Sequence, residues 1–358
     1  MQTMLPFEQI QRKILTRKEA DTDYKYGCDP EDRKTDEIIN YGIVNIDKPK
    51  GPTSHQVSDY VQKILHINKS GHSGTLDPAT TGVLPVALGR GTRIVQALLT
   101  AGKEYIAIMH LHKEVEEKKL KETIQKYFIG EIQQLPPIKS SVKRQLRTRT
   151  VYYLDILEID DKDVLFKVGT EAGTYIRKLC FDIGKKLGIG AHMAELRRTK
   201  AGPFDESTLF NLYELTDAYY FWKPTKIEDF RGTENAKHFL VEEKSNASER
   251  SETRSHATEK FIRKVIQPVE NGVKHLPKIW VFDTTVESLC HGVDLKVPGI
   301  SKLNDNINED DTIAIMTLKN ELIALGTAKI SSEEMMKEKG LAVRTEKVFM
   351  VPGVYKMK

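Results

Sequence analysis

The stretch SGHSGTLDPATTGVLPVALGRGTRIVQ, residues 70–96, sets one acid, Asp77, among glycines and small hydroxylated residues, ahead of an apolar, strand-like run. By composition, an Asp-Pro step in a Ser/Thr-rich loop reads as a turn closed by local side-chain hydrogen bonds. Two features point instead to a presented carboxylate. The residue before a proline is biased toward extended backbone, which projects its side chain outward. Glycines at 71, 74 and 82 leave room for another molecule's backbone to come close.

Outward from the loop, strand and helix patterns alternate. YGIVNI (41–46) alternates like a strand and stops at the turn KPKGP. TSHQ, Thr53 to Gln56, matches a capping box, and Val57, Tyr60, Val61, Ile64 and Leu65 follow at helical spacing. VLPVAL reads as a buried strand, RIVQALL as a short helix, KEYIAIMHLH (103–112) as a strand and VEEKKLKETIQKYF as a helix. VYYLDILEI and DVLFKVGTEA are further strands. TYIRKLCFDIGKKL is a helix with Thr174 as its N-cap and Gly188 beyond its end, and AELRRTKAGPF is a strand. Strands and helices in no strict βαβ order favour an α+β fold over a doubly wound one.

With 358 residues, 39% hydrophobic and 30% charged, the chain suits two soluble domains. Residues 1–40 are polar, with one weak helical pattern in PFEQIQRKIL and too little apolar surface to fold alone; they are expected to dock on something else. Residues 232–258 have the Ser-, Glu- and Lys-rich composition of a surface insertion. FIRKVIQPVENGVKHL looks helical with one proline interruption. Beyond Leu276, KIWVF, DTIAIMTL, ELIALGTA and KVFMV alternate with turns, the pattern of a small all-β module. The expected partition is an extension (1–40), a main α+β domain (41–275) and a small all-β module (276–358). No apolar run approaches a membrane span, and the N-terminus carries no secretory apolar core. Three scattered cysteines suit a reducing cytosol and give no zinc spacing, so metal catalysis is not expected.

The net charge of +4 is mild, so basicity has to be sought locally. IKSSVKRQLRTR (138–149) carries Lys139, Lys143, Arg144, Arg147 and Arg149 and no acid. It reads either as a solvated loop or as a mobile arm on phosphates. Arg197, Arg198 and Lys200 form a second cluster, and Arg90 and Arg93 lie beside the Asp77 loop. Together they suggest nucleic acid, with small acidic molecules as the alternative.

KPKGPTSH, GHSGTLDPATTGVLPVALGRGTR, KEYIA, GTYIRKL and AHMAELRRTKAGPF closely resemble the TruB-type pseudouridine synthases. The N-terminal extension, the LPPIKSSVKRQLRTRTVYYLDILEI segment and a C-terminal module with HGVDLKVPGI resemble, more narrowly, the archaeal guide-RNA-dependent branch related to dyskerin. The resemblance covers roughly 5–230 and 260–358, and the lack of a long lysine-rich tail favours an archaeal source. It implies a pseudouridine-synthase fold: a mixed, largely antiparallel sheet with flanking helices in two subdomains. A small all-β PUA pseudo-barrel follows, with the extension packed on it.

The reaction so implied is isomerisation of uridine to pseudouridine in RNA without a cofactor. Asp77 matches the essential aspartate, which either attacks C1′ or removes the 2′ proton; both roles need an ionised carboxylate in a largely desolvated pocket. Arg177 matches its cationic partner. Tyr105 matches the tyrosine that stacks on uracil and is placed to take the C5 proton, although a phenol with the usual pKa of ~10 is a poor base at neutral pH. His72 matches an aid to flipping the nucleotide, with a histidine bonded within its own loop as the plainer reading. Tyr175 and Leu196 match pocket residues, and Lys48 and Pro49 a motif packed behind the loop. The 138–149 segment matches a thumb loop, and His291 and Gly292 lie on the RNA-binding module. The partners implied are a box H/ACA guide RNA, substrate rRNA or tRNA, a zinc-ribbon Nop-type protein, a Gar-type β-barrel protein and a kink-turn-binding ribosomal-type protein. The rival readings are a guide-independent synthase of the tRNA T-loop, a silent RNA-binding scaffold and a metal-dependent hydrolase. The last lacks the clustered carboxylates or histidines it needs.

Overall fold

In the computed structural model, residues 3–136, 143–223, 259–337 and 339–356 are described. Residues 139 and 232–258, on which expectations fell, lie outside them.

The extension begins with a 3₁₀ turn at Pro6–Gln9 rather than a helix, and Pro6 at its start fixes the first φ. It then contributes β1 (Ile14–Thr16) and helix α1 (Thr35–Asn40). The central sheet starts with β2 (Gly42–Lys48), buried along nearly its whole length. Helix α2 (Ser54–Leu65) follows with the expected capping box: Thr53 Oγ1 accepts from Gln56 N, and Gln56 reaches back to Thr53 N. β3 (Ser70–His72) and β4 (Thr81–Leu88) bracket the Asp77 loop. Next come α3 (Val95–Thr100), β5 (Lys103–Leu111), α4 (Glu117–Tyr127), β6 (Gly130–Gln134), β7 (Arg147–Asp160), β8 (Asp163–Thr170), α5 (Ile176–Leu187), β9 (Ala191–Ala201), β10 (Phe204–Asp205) and α6 (Leu212–Trp222).

FIRKVIQPVENGV is not a kinked helix. After 259–265 it becomes strand β11 (Ile266–Pro268), which pairs with the outer edge of β2, and then a 3₁₀ turn. The open edge of β2 offers Ile266 and Gln267 ladder partners that a continued helix would lack. Proline at the end of so short an edge strand removes only one donor.

The ten-stranded sheet runs β11-β2-β4-β9-β5-β8-β7-β6, with β3 paired to β4 and β10 to β9. All pairs are antiparallel except β4 with β9. That parallel joint is two residue pairs long, Thr81 with Arg197 and Gly82 with Arg198, and it divides the sheet into two halves. One half packs α2 and α6 through Val57, Val61, Leu84, Leu215 and Ala218. The other packs α4 and α5 through Met109, Ile124, Phe166, Leu179 and Ile183.

The C-terminal strands β12 (Lys278–Val281), β13 (Leu295–Lys296), β14 (Ile300–Asn304), β15 (Thr312–Met316), β16 (Leu322–Ala328) and β17 (Leu341–Val348) form a second sheet, which β1 extends by pairing with β14. The module is not purely β: Asp283–Cys290 is a helix whose Val286 and Leu289 enter the core. One apolar cluster joins the two sheets, with Ile43, Val83, Ile94 and Phe204 against Ala314, Met316, Leu322 and Phe349. At the same junction Arg33 of the extension makes a two-pronged ion pair with Glu270, at 2.8 and 2.7 Å, and Glu270 also accepts from Leu322 N at 2.9 Å. Among the described residues no helix is long and apolar enough to cross a membrane.

Candidate active site

The short parallel joint creates the site. β4 starts only where β9 has reached Arg197, so the loop entering β4 comes in at the seam between the halves, beside β9. One row of the sheet crosses it: Gly82 on β4, Arg198 on β9, Tyr105 on β5 and Val168 on β8. Asp77 lies four residues before β4 in the loop above this row.

Two anchors hold that loop. Ser54, the first residue of α2, accepts from Leu76 N at 2.8 Å and donates to Leu76 O at 3.2 Å. The fully buried Lys48 donates to Pro49 O (2.9 Å), Pro78 O (3.3 Å) and Thr80 O (2.8 Å). Burial pushes its ammonium pKa down, and Asp77 partly offsets this. Lys48 thus packs behind the loop. Asp77 is pinned from both sides through its neighbours, while its own carboxylate is free to point outward.

The carboxylate pairs with the guanidinium of Arg177. Arg177 is the second residue of α5, where an arginine is poorly placed against the helix dipole but the dipole and the guanidinium together favour an anion. The N-cap is Tyr175 rather than Thr174, whose hydroxyl donates instead to Glu171 O; Gly188 closes the helix with φ +76°, as its position in the sequence suggested. Buried Gln134 fixes this helix start, donating to Tyr175 O at 3.2 Å and accepting from Tyr175 N at 3.0 Å. The pocket is not desolvated in the free chain: the Arg177 and Asp77 side chains are 53% and 50% exposed.

Below the pair lies Arg198. It was expected on phosphates, but it is 1% exposed. Its Nε donates to Val83 O at 2.7 Å, its Nη2 to Gly74 O at 3.3 Å, and the Tyr105 phenol engages it from β5. Burial pulls its pKa down, and Tyr105 partly restores it. Arg198 therefore ties the Asp77 loop to the strand of Tyr105. Arg197 points the other way and is matched by carboxylates, Asp47 at 3.0 and 3.2 Å and Glu206 at 2.6 Å, so it too is engaged within the protein. Tyr105 and Leu196 sit half-buried on the apolar cluster of the α5 half, and Tyr175 is half-buried at the start of α5.

His72 follows the plainer of its two readings in the free chain. Its Nδ1 accepts from Gly74 N at 3.4 Å and its ring meets His55 edge-on at 4.7 Å. Burial first, then His55 and Arg198, push its pKa down to about 4, so the ring is neutral at physiological pH. The glycines also have inward reasons. A Cβ at Gly82 would lie 2.2 Å from Arg198 O, one at Gly71 would lie 3.1 Å from Val95, and Gly74 needs φ +130°. Clearance at Gly82 serves the parallel joint, not an approaching RNA.

In the basic arm, Lys143 and Arg144 are exposed, while Arg147 and Arg149 are half-buried at the start of β7, Arg149 lying 3.5 Å from Glu171. His291 is exposed and shares a 3.2 Å contact with Glu287; next to it Gly292 has φ +83° with open space around it. Sequence reasoning passed over Ser54, Gln134 and Lys103. Lys103 is buried and donates to Leu98 O, Leu99 O and Ala101 O at 2.6–3.0 Å, closing the end of α3; burial pushes its pKa down to about 7. None stands out in sequence, because each acts by capping a neighbour's backbone.

Comparison with known proteins agrees with this geometry. Residues 62–176 match the TruB family pseudouridylate synthase N-terminal domain and 177–274 the tRNA pseudouridylate synthase B C-terminal domain. Residues 3–58 match a DKCLD domain and 277–349 a PUA domain. A probable tRNA pseudouridine synthase B of Pyrococcus horikoshii is 52% identical over 350 residues, 97% of this chain and 95% of that protein. Its counterpart in Methanopyrus kandleri is 47% identical over 352 residues, 98% and 94% of the two chains. Among solved structures, a chain of a Cbf5-Nop10-Gar1 complex superposes with TM-score 0.85 at 49% identity, covering 99% of both chains. One from an H/ACA RNP bound to a substrate RNA containing 2′-deoxyuridine gives 0.83 at 48% identity, again over 99% of both. With the family's domains matched in order along its length, the chain belongs to the TruB family of pseudouridine synthases.

Proposed function

We propose that this chain is the catalytic subunit of a box H/ACA ribonucleoprotein that converts uridine to pseudouridine in RNA, chiefly rRNA. The observation that carries the reading is the Asp77–Arg177 pair, which stands exposed at the seam while Lys48 and Arg198 beside it are tied into the protein. A scaffold protein has no use for one pinned, outward carboxylate matched by one arginine.

In this reading Asp77 acts on the ribose, as nucleophile at C1′ or as base at C2′. The N1–C1′ bond breaks, the uracil turns while held, C5 bonds to C1′, and the C5 proton leaves as N1 gains one. Arg177 keeps the carboxylate ionised when RNA covers it, since desolvation alone opposes the charge. Tyr105 stacks on the uracil and its phenol reaches for C5. His72, Tyr175 and Leu196 line the pocket, and neutral His72 offers one ring N–H to the flipped nucleotide. Lys139, Lys143, Arg144, Arg147 and Arg149 form an arm that closes on RNA phosphates, while His291 and Gly292 face the guide. The domain limits proposed are 1–40, 41–275 and 276–358, in the cytoplasm of an archaeal cell.

Partners of the kinds named in the neighbouring structures, Nop10 and Gar1, support assembly into such a particle; a kink-turn-binding ribosomal-type protein completes the set. The names of the sequence relatives favour a second substrate, tRNA.

The test is pseudouridine mapping at single-nucleotide resolution on an rRNA fragment and on tRNA, with and without guide RNA and partners. Guide-dependent conversion that disappears in Asp77→Ala is the expected result. Conversion surviving Asp77→Ala refutes the assignment of the acid, and conversion of tRNA alone refutes the guide-dependent role.

A further inference from the structure

Three of the ten histidines gather far from the seam. His110 near the end of β5 and His112 just past it lie two apart, opposite the face of Met109 and Leu111 that packs on the core. His192 on β9 is the register partner of His110 on one side, and Asp163 on β8 is its partner on the other. The ring centroids are 5.3 Å apart for His110 and His192, 5.3 Å for His112 and His192, and 6.5 Å for His110 and His112. His112 Nε2 lies 3.1 Å from His192 Nδ1, and His110 Nδ1 lies 2.7 Å from Asp163 Oδ1, all open to solvent. Tyr105 is five residues away along β5, about 17 Å, so the reaction does not account for the cluster.

Two of the three ring spacings come close to those of a metal site. Imidazole nitrogens bind Zn²⁺ at about 2.0–2.1 Å, and an edge of a tetrahedron is roughly 1.6 times that, about 3.3 Å. The His112–His192 nitrogen pair is at 3.1 Å. On the same geometry each ring centre lies about 3.2 Å from the ion, giving centre-to-centre distances of about 5.2 Å. Two of the three observed pairs match at 5.3 Å, and only the His110–His112 pair is open, by about 1 Å. As the rings stand, no three described side chains already close on one point. Closing the third pair takes a swing of the His110 side chain about its Cα–Cβ and Cβ–Cγ bonds while Nδ1 keeps its hydrogen bond to Asp163 Oδ1. That bond makes Nδ1 the donor and leaves Nε2 with a lone pair, the carboxylate–histidine arrangement that orients metal ligands.

We propose that His110, His112 and His192 bind one divalent late-transition ion of the Zn²⁺ class, with Asp163 orienting His110 and water in the fourth position. Three neutral imidazoles select Zn²⁺, Ni²⁺ or Cu²⁺ over Mg²⁺ or Ca²⁺. The ion clips β5 to β9, the two strands that carry Tyr105 and Arg198 at their other ends.

The chelator-treated full chain, titrated with Co²⁺, tests this through the visible band of tetrahedral cobalt, with Zn²⁺ as competitor. One saturable equivalent is expected. It is lost in His112→Ala and in His192→Ala, weakened ~10–100-fold in Asp163→Asn, and kept in His66→Ala. Because the three rings are exposed, the metal-free variants melt with the parent, and Zn²⁺ raises the melting temperature of the parent alone. Absence of saturable tetrahedral binding, or an unchanged equivalent in the His112→Ala/His192→Ala double variant, overturns the site.

Discussion

Lys48→Met removes one ammonium and keeps nearly all of the side chain's length, so it isolates the anchor behind the Asp77 loop. Lys48 donates to three carbonyls, and Pro78 O keeps a second donor in Gly51 N at 2.8 Å. The net loss is therefore set by two bonds, to Pro49 O and Thr80 O. Hydrogen bonds from a charged donor are worth ~1.5–3 kcal/mol each. Not having to bury an ammonium returns part of this, as the depressed Lys48 pKa indicates. The expected destabilisation is about 1–4 kcal/mol. The larger effect is on geometry. Ser54 still grips Leu76 on one side of Asp77, but the chain from Pro78 to Thr80 loses its hold on the other. A displacement of ~1 Å at a reacting group costs ~10²-fold in rate. Single-turnover pseudouridine formation by the assembled particle at saturating RNA should fall by about that factor, with the RNA dissociation constant changed less than about threefold. A folded Lys48→Met particle that reacts within about threefold of the parent would show that the anchor does not position the acid.

Tyr105→Phe keeps the ring and loses the phenol; a fall of ~10²–10⁴-fold is expected if the phenol moves the C5 proton, and parental rates in a single-turnover assay reduce the residue to a stacking surface. His275, 8% exposed, has its pKa pushed down to about 4, chiefly by burial. The unfolded chain takes up its proton first, so stability is full above pH ~6.5 and is lost as the pH falls toward 4, by about 2–3 kcal/mol at pH 4.5. Urea midpoints at pH 7 and pH 4.5 should draw together in His275→Phe, and an unchanged gap excludes this histidine as the source. Arg33→Met strands a Glu270 carboxylate that is 9% exposed and should cost ~3–5 kcal/mol, while Arg33→Met/Glu270→Met should cost much less. Additive losses in that double-mutant cycle argue against a coupled pair.

Strands and helices with a clean period were legible from the residues alone, and so was the capping box at Thr53, because local hydrogen bonding and one buried face determine them. What failed depended on neighbours distant in sequence. Residues 266–268 form a strand only because β2 has an unpaired edge. Arg197 and Arg198 look like one basic patch, yet adjacent strand residues face opposite sides of a sheet, which sends one to Asp47 and Glu206 and the other into the core. The glycines of the Asp77 loop were read as space for a ligand when the nearest claimant was the chain itself. The acid, its arginine and the tyrosine were found through family likeness; the struts beneath them, Ser54, Gln134 and Arg198, came only from coordinates.

β1 carries a consequence for synthesis. Ile14 pairs with Asn304, 290 residues later in the chain. At ~5–20 residues per second a ribosome needs about 15–60 s to make that stretch. For all of that time the first-made segment has no partner strand, and a hydrophobic arm waiting so long would invite association with other nascent chains. Its polar, charged composition is what lets it wait. A strand made 290 residues before its partner is among the last to find its place, and it closes the edge of a sheet that did not exist when it emerged.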